Sequence, residues 1–371
     1  MTKRNLDTQL ANSALPEPKP PEIDIVVTTN QCKGQLSIQD LGRPKAQHLG
    51  FSASGAADEF ALLTANKLLN KTANSAALEI IFGQVKLSVS KACQFVLTGA
   101  DCRAYLLSDE LSGQFSNSTN EQQEKSNSKQ LLSLNRLYLL KPNQYLVLQQ
   151  PKYGLVSYIA FNGQLNTPSF SNSQSQTLAE QSLGLVQAPI ASGDTLALTP
   201  STESITSSSG NETDTKAGQL LQKSLANFYQ YLSEQVLTLR FIPSELWQQL
   251  SSEKKHKIIS AETYTIGASS NRMGYQLNHL SIPPELLAQE HTKLSKPVCY
   301  GTIQLPNANS AIVLMKERQT IGGYPTLGVV IQIDLFKLCQ LRPGQKVKLI
   351  PITINQAQQQ LISFYQKFDW T

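Results

Sequence analysis

Gln144-Tyr145-Leu146-Val147-Leu148-Gln149-Gln150-Pro151-Lys152-Tyr153-Gly154-Leu155-Val156-Ser157-Tyr158-Ile159-Ala160-Phe161 reads as two strands and a turn. Its apolar runs, Gln144–Gln149 and Tyr153–Phe161, have strand length and β-branched and aromatic content, and a proline separates them. Outward from here the pattern recurs at Ile23–Thr28, Gln84–Val89, Gln94–Leu97 and Thr195–Leu198. It returns in the second half at Leu237–Ile242, Tyr300–Gln304, Ala311–Met315, Val329–Ile333 and Lys346–Ile350. Helical spacing is clearest over Ala56–Leu69, where Ala57, Phe60, Ala61, Thr64, Ala65 and Leu68 share a face ahead of Asn70. Shorter helical pieces fall at Gln219–Glu234, Ser244–Leu250, Leu335–Gln340 and Ile354–Phe368. With no βαβα alternation, the expected fold is mainly β with peripheral helices, in two barrel-like halves.

A chain of 371 residues, 40% hydrophobic, is long enough for two cores. The expected division is a flexible tail over 1–22, an N-terminal half over 23–200, a flexible loop over 201–218 and a C-terminal half over 219–371. The tail contains Pro16-Glu17-Pro18-Lys19-Pro20-Pro21, and the stretches 112–130 and 201–218 are rich in Ser, Asn, Gln and Thr. Such segments lack the apolar surface that offsets the entropy of ordering, so they are expected to be mobile surface loops. The net charge of +5, from 32 basic and 27 acidic residues, is not gathered into a basic run, which argues against nucleic-acid binding. Neither a signal peptide nor a long apolar span appears, so a soluble cytoplasmic protein is expected. The five cysteines lack any C-x-x-C pair, and the four histidines form no ligand cluster with them; reduced thiols and no metal follow.

Four segments carry chemistry. The first runs from Ser37 to Asp58 and includes Asp40, Gly42, Arg43, His48, Ser54 and Gly55. A polar, turn-rich loop ending at a helix start can present N–H groups and a guanidinium to an anion. Equally, Asp40 can cap a turn and Ser54 the helix. The second places Glu79 among apolar neighbours on a buried strand; it is either a catalytic carboxylate or half of a structural salt bridge, with Arg43 a natural partner. The third, Asn271-Arg272-Met273-Gly274, sets an arginine on a turn. The fourth is Gly301-Thr302-Ile303-Gln304 followed by Arg318-Gln319-Thr320-Ile321-Gly322-Gly323-Tyr324-Pro325. It sets fork-shaped, amide and hydroxyl donors beside backbone free of Cβ atoms, suited to a planar amide, a carboxylate or a phosphate. The Walker A, dinucleotide-binding, nucleophile-elbow and H-E-x-x-H patterns are all missing. Leu314-Met315-Lys316-Glu317 is only superficially like a biotin attachment site, since a second methionine does not follow the lysine.

Taken in order, Ile-Gln-Asp-Leu-Gly-Arg, Ser-Gly-Ala-x-Asp, Ala-Leu-Glu, Leu-Thr-Gly-Ala-Asp, Ser-Asn-Arg-Met-Gly-Tyr, Gly-x-Ile-Gln-x-Pro and Arg-Gln-Thr-x-Gly-Gly-Tyr-Pro resemble the family of C-type subunits of 5-oxoprolinase. That family is also described as biotin-dependent carboxyltransferase-like or allophanate hydrolase subunit 2-like. The resemblance implies two cyclophilin-like β-barrel subdomains and assembly with a B-type subunit of related fold and an A-type subunit. It also implies ATP-driven opening of the lactam of 5-oxo-L-proline to L-glutamate, with ATP shared with the partner subunits and no biotin on this chain. By analogy Arg272 and Arg318 contact an anion or phosphoryl group. Gln304, Gln319 and Thr320 bind the substrate amide, with Arg43, Ser54, Gly55, Asn271, Gly322, Gly323 and Tyr324 as further binding positions. Asp40, His48, Asp58 and Glu79 are the candidates for acid–base or orienting roles. Two other readings stay open: a carboxyltransferase component of a urea-type biotin-dependent carboxylase, and a regulatory protein that binds a kinase-inhibitor partner. Gln174 stands where the family usually has an arginine, and Ala57 where methionine is common.

Overall fold

A computed structural model describes residues 25–108, 129–201, 228–229, 232, 236–260, 263–279, 287 and 295–367. The tail 1–22, nearly all of the loops 112–130 and 201–218, and most of the Gln219–Glu234 helix lie outside the described residues. Lys129–Leu131 is a strand paired with Tyr105–Ser108, so the expected loop 112–130 ends earlier than its composition suggested.

The N-terminal strands form two sheets. One has seven strands in the order Gly163–Leu165, Thr195–Pro200, Ile25–Cys32, Val85–Val89, Gln144–Leu148, Tyr105–Ser108 and Lys129–Leu131. The other runs Gln35–Gln39, Ala77–Ile81, Val156–Phe161, Cys93–Gly99 and Leu137–Leu140. Val27, Leu87 and Leu146 from the first meet Ile38, Leu78, Phe95 and Ile159 from the second in one core. The period-2 alternation of strand side chains places the intervening residues of the second sheet on its opposite face. There Ala77, Val96, Tyr158 and Ala160 pack under the helix Glu59–Leu68 through Ala61, Leu62 and Ala65. Glu79 pairs with Tyr158 in register and so lies on this helix-covered face; a one-residue slip would drive the carboxylate into the apolar core.

The C-terminal strands close a barrel: Val236–Pro243, Thr326–Val330, Thr302–Asn307, Ser310–Leu314, Gly274–Asn278, Tyr264–Ile266 and Lys346–Pro351. Closure is made by a parallel pairing that sets Leu237 opposite Val347 and Leu239 opposite Leu349. Leu239, Phe241, Ile303, Val313, Leu327 and Leu349 fill the interior. Closing a sheet on itself removes its exposed edges.

The halves are in direct contact. Ala57 packs into the barrel core, while Phe60 shares a hydrophobic cluster with Phe336 and Phe364 of the C-terminal helices Gln332–Leu338 and Ile354–Lys367. Gln340 is fully buried, and its Oε1 accepts the Leu155 and Val156 N–H groups at 2.9 Å.

Two local expectations are corrected. The first helix starts at Glu59, capped by Asp58, whose Oδ1 accepts Ala61 N–H at 3.1 Å. Ser54, with φ +53, sits in the preceding turn with its Oγ buried and without a partner among the described residues. The β-branched run Val329–Ile333 divides: the strand Thr326–Val330 stops, and a helix begins at Gln332. Asp334 in its first turn accepts Arg240 N–H at 2.8 Å and pairs with the Arg240 guanidinium at 2.5 Å, a long-range clamp that outweighs strand propensity. Among the described residues no helix is long and apolar enough to cross a membrane.

Candidate active site

Glu79 is 1% exposed and fully engaged. Its Oε2 accepts Ala57 N–H at 2.8 Å and Tyr158 O–H at 2.5 Å, while its Oε1 pairs with Arg272 Nη1. The expected partner, Arg43, is elsewhere: its Nη1 donates to Ser175 O at 3.0 Å, and its Nη2 is 3.9 Å from Glu180. Arg43 precedes a 3-10 turn, Pro44–Leu49, that carries it against the segment 173–180, away from the strand bearing Glu79. Arg272 donates from Nε to Glu317 at 2.5 Å and from Nη2 to Gly55 O at 2.7 Å. Burial alone would lower the guanidinium pKa, but Glu79 and Glu317 outweigh it and hold it above its usual range. An arginine so matched is a strut between the halves.

Asp58 lies beside this strut and is fully buried. Besides capping the helix, it accepts Tyr229 O–H and Gln340 Nε2–H at 2.8 Å each. Burial is the main cause that pushes its pKa from 3.8 up to about 6. Between those values the folded protein holds a proton that the unfolded chain has released, so stability falls as pH rises through this window and levels off above it. The gap corresponds to about 3 kcal/mol. Denaturant midpoints compared at pH 5 and 7.5 should show the part of this loss that falls above pH 5, about 1.4 kcal/mol, and Asp58→Asn should flatten it; an equally steep loss in the variant removes Asp58 as the cause.

Asp40 serves structure. Its Oδ1 accepts Gly42 N–H at 2.7 Å and the hydroxyls of Ser173 and Ser175 at 2.7 and 2.6 Å, and its Oδ2 accepts Gln174 N–H at 2.7 Å. Gln174 uses its side-chain amide on Leu165 O at 2.8 Å, so this stretch anchors the loop without an arginine. His48 is exposed on the 3-10 turn, outside the cluster.

The fourth segment carries the unsatisfied chemistry. Arg318 is 4% exposed, makes no ion pair with a described carboxylate, and has one weak contact, Nη1 to Met315 O at 3.3 Å. Its Nε has no partner among the described residues, and burial lowers its pKa. The guanidinium carbon lies 5.8 Å from the Tyr300 ring centre, with Lys316 Nζ 4.6 Å from the same ring. Tyr300 Oη and Gln304 Nε2 are likewise buried without partners among the described residues. Gly322 lets two side-chain amides approach closely: a Cβ there would come within 2.4 Å of Gln304 Nε2 and 2.9 Å of Gln319 Nε2, and both would have to move. Thr320 is half-buried, with its carbonyl accepting Val298 N–H at 3.1 Å; Gln319, Gly323 and Tyr324 are exposed on the same loop. Asn271 shapes the Arg272 turn, its Oδ1 accepting Met273 N–H at 2.8 Å.

The fold thus brings Ser54, Gly55, Asp58, Glu79, Asn271, Arg272 and Arg318 to one junction: Ser54 N–H donates to Lys316 O at 3.1 Å and Glu317 N–H to Arg272 O at 2.9 Å. Asp40, Arg43 and His48 stand apart. Sequence reasoning missed Tyr158, Glu317, Tyr300 and Gln340; only Glu317, next to Arg318 in the chain, carried a local signal. Lys316 is buried and pairs with Glu59, which also accepts Gln332 Nε2–H at 2.9 Å.

The family described as "Carboxyltransferase domain, subdomain A and B" matches residues 49–351. The chain is 26% identical to the C-type subunit of 5-oxoprolinase from Haemophilus influenzae over 325 residues, 88% of this chain and 91% of that protein. It is also 26% identical to the corresponding 5-oxoprolinase subunit of Escherichia coli K12 over 337 residues, 90% and 94% of the two chains. Among solved structures, urea carboxylase of Kluyveromyces lactis superposes with a TM-score of 0.70 at 18% identity, covering 93% of this chain and 29% of that one. That likeness shows a shared fold.

Proposed function

Because the chain belongs to the family of carboxyltransferase domains built from subdomains A and B, we propose that it is the C-type subunit of an ATP-dependent 5-oxoprolinase, opening the lactam of 5-oxo-L-proline to L-glutamate. One observation carries the reading within this chain: Arg318 is a buried guanidinium with no carboxylate partner among the described residues, 5.8 Å from the Tyr300 ring centre, and Tyr300 Oη and Gln304 Nε2 also lack partners among the described residues. Buried polar groups are normally satisfied, so three left open around one loop favour a polar ligand. A lactam offers a carbonyl acceptor and a ring N–H. When its carbonyl is attacked, charge gathers on oxygen, and a guanidinium in a water-poor setting stabilises that charge far more than it would in bulk water.

Arg272, Glu79 and Glu317 hold the loop, since Glu317 is the residue before Arg318 and bonds to Arg272 through both main chain and side chain. In line with the resemblance, ATP is assigned to the assembled complex with B-type and A-type subunits. Biotin is assigned to no residue of this chain; Lys316, the superficial candidate, is held inside by Glu59. The assembly is placed in the cytoplasm.

The purified chain alone should show negligible ATP-dependent hydrolysis of 5-oxoproline, and adding A-type and B-type subunits should restore it. Turnover by the chain alone, or no gain when it joins the other two, overturns the assignment. A copurifying biotinylated carrier seen with streptavidin would point to the carboxyltransferase reading instead, and stable B-type binding without turnover to a regulatory one.

A further inference from the structure

Beyond the oxoprolinase reading, we propose that a cavity of about 450 Å3 between the two halves binds a small organic anion with a flat apolar body. The N-terminal half contributes Phe82 and Gln84, the flanks of the turn Phe82-Gly83-Gln84, and the C-terminal half contributes Ser270 and Asn271. The turn is unusual: its three consecutive residues have φ of +68, +62 and +58. A bulky residue such as phenylalanine is rarely found there, because its Cβ crowds the following carbonyl.

The surroundings enforce the conformation. Phe82 N–H donates to Leu155 O at 3.0 Å, and Lys33 N–H donates to Gln84 O at 3.1 Å. Gly34 lets the carbonyls of Ile81 and Gly83 approach to 2.4 Å from where a Cβ would stand, and a Cβ on Gly83 would meet Gln149 O at 2.1 Å. The outcome is that Phe82 stays 41% exposed at the cavity rather than turning into the sheet core next to it. Strain of this kind, fixed on several sides, is a mark of functional sites.

Charge defines the other end of the ligand. Lys33, Arg272 and Lys316 line the cavity, and no carboxylate does among the described residues. Glu79 and Glu317 already match Arg272, and Glu59 matches Lys316, leaving Lys33 as an exposed cation without a described carboxylate partner. Arg272 uses three of its five N–H donors on these contacts and Gly55 O, and keeps two. A ring against Phe82 with its anionic group toward Lys33 satisfies both features.

The test is a fluorescence titration of the full chain with 8-anilinonaphthalene-1-sulfonate, a flat aromatic anion, and with its uncharged relative N-phenyl-1-naphthylamine. One saturable site is expected for each. Phe82→Asn, which tolerates the left-handed conformation, should weaken both by about tenfold or more without lowering the melting temperature. Lys33→Glu should weaken the anion by about fivefold and leave the neutral probe unchanged. Absence of saturable binding overturns the proposal, as does binding that neither substitution alters. Binding lost in Arg318→Lys but kept in both other variants would place the probe in the oxoprolinase site and also overturn it. Should Phe82→Asn fail to fold, the charge-selective loss in Lys33→Glu decides alone.

Discussion

Arg272→Met, made with Glu79 left in place, is expected to destabilise the fold by about 3–5 kcal/mol, the range for stranding one member of a buried ion pair. Glu79 would keep its bonds from Tyr158 and the Ala57 N–H, yet lose its only described cationic partner, and Gly55 O and Glu317 would lose their donors as well. Changing Glu79 to Gln in the same chain removes the stranded charge while keeping an acceptor for Tyr158, so the double variant should recover at least half of the loss. Denaturant midpoints across the four-member cycle measure the coupling directly. Additive losses would mean that Arg272 and Glu79 act independently, and the strut between the halves would have to be sought elsewhere.

On the reconstituted complex, Arg318→Lys is expected to lower turnover by about 10²-fold or more, with the melting temperature nearly unchanged. Lysine keeps the charge and loses the fork. Because Arg318 holds only a 3.3 Å contact to Met315 O and no described carboxylate, its replacement breaks little that supports the fold. A structural arginine would behave in the opposite way, losing stability while surviving protein kept its rate. The structure already removes the obvious form of that alternative, since Glu79 is taken by Arg272. A well-folded Lys variant with unchanged turnover would take Arg318 out of the site, and with it the main reason for locating the chemistry on the Arg-Gln-Thr-x-Gly-Gly turn.

How much was legible in advance depends on the range of the interaction. The Val156–Phe161 strand and the Glu59–Leu68 helix were visible because alternation and helical spacing are written within a few residues. The short strands Tyr264–Ile266 and Gly274–Asn278 were not, since each has few residues and forms only by pairing across the barrel. The Val329–Ile333 run looked like a continuous strand, and Arg240, far away in sequence, fixes where it turns into helix.

The same division holds in the site. Sequence alone determined the mainly β class, the buried setting of Glu79 and the concentration of donors between Gln304 and Tyr324, because these depend on local composition and on the period of the strand. Partner choice was decided by tertiary structure. Arg43 and Arg272 are alike as residues, but the 3-10 turn after Arg43 carries it toward Glu180 while the turn before Gly274 delivers Arg272 to Glu79 across the junction of the halves. Which buried arginine is neutralised and which is left without a described carboxylate follows from where carboxylates lie within about 4 Å in space, and chain order carries no information about that distance.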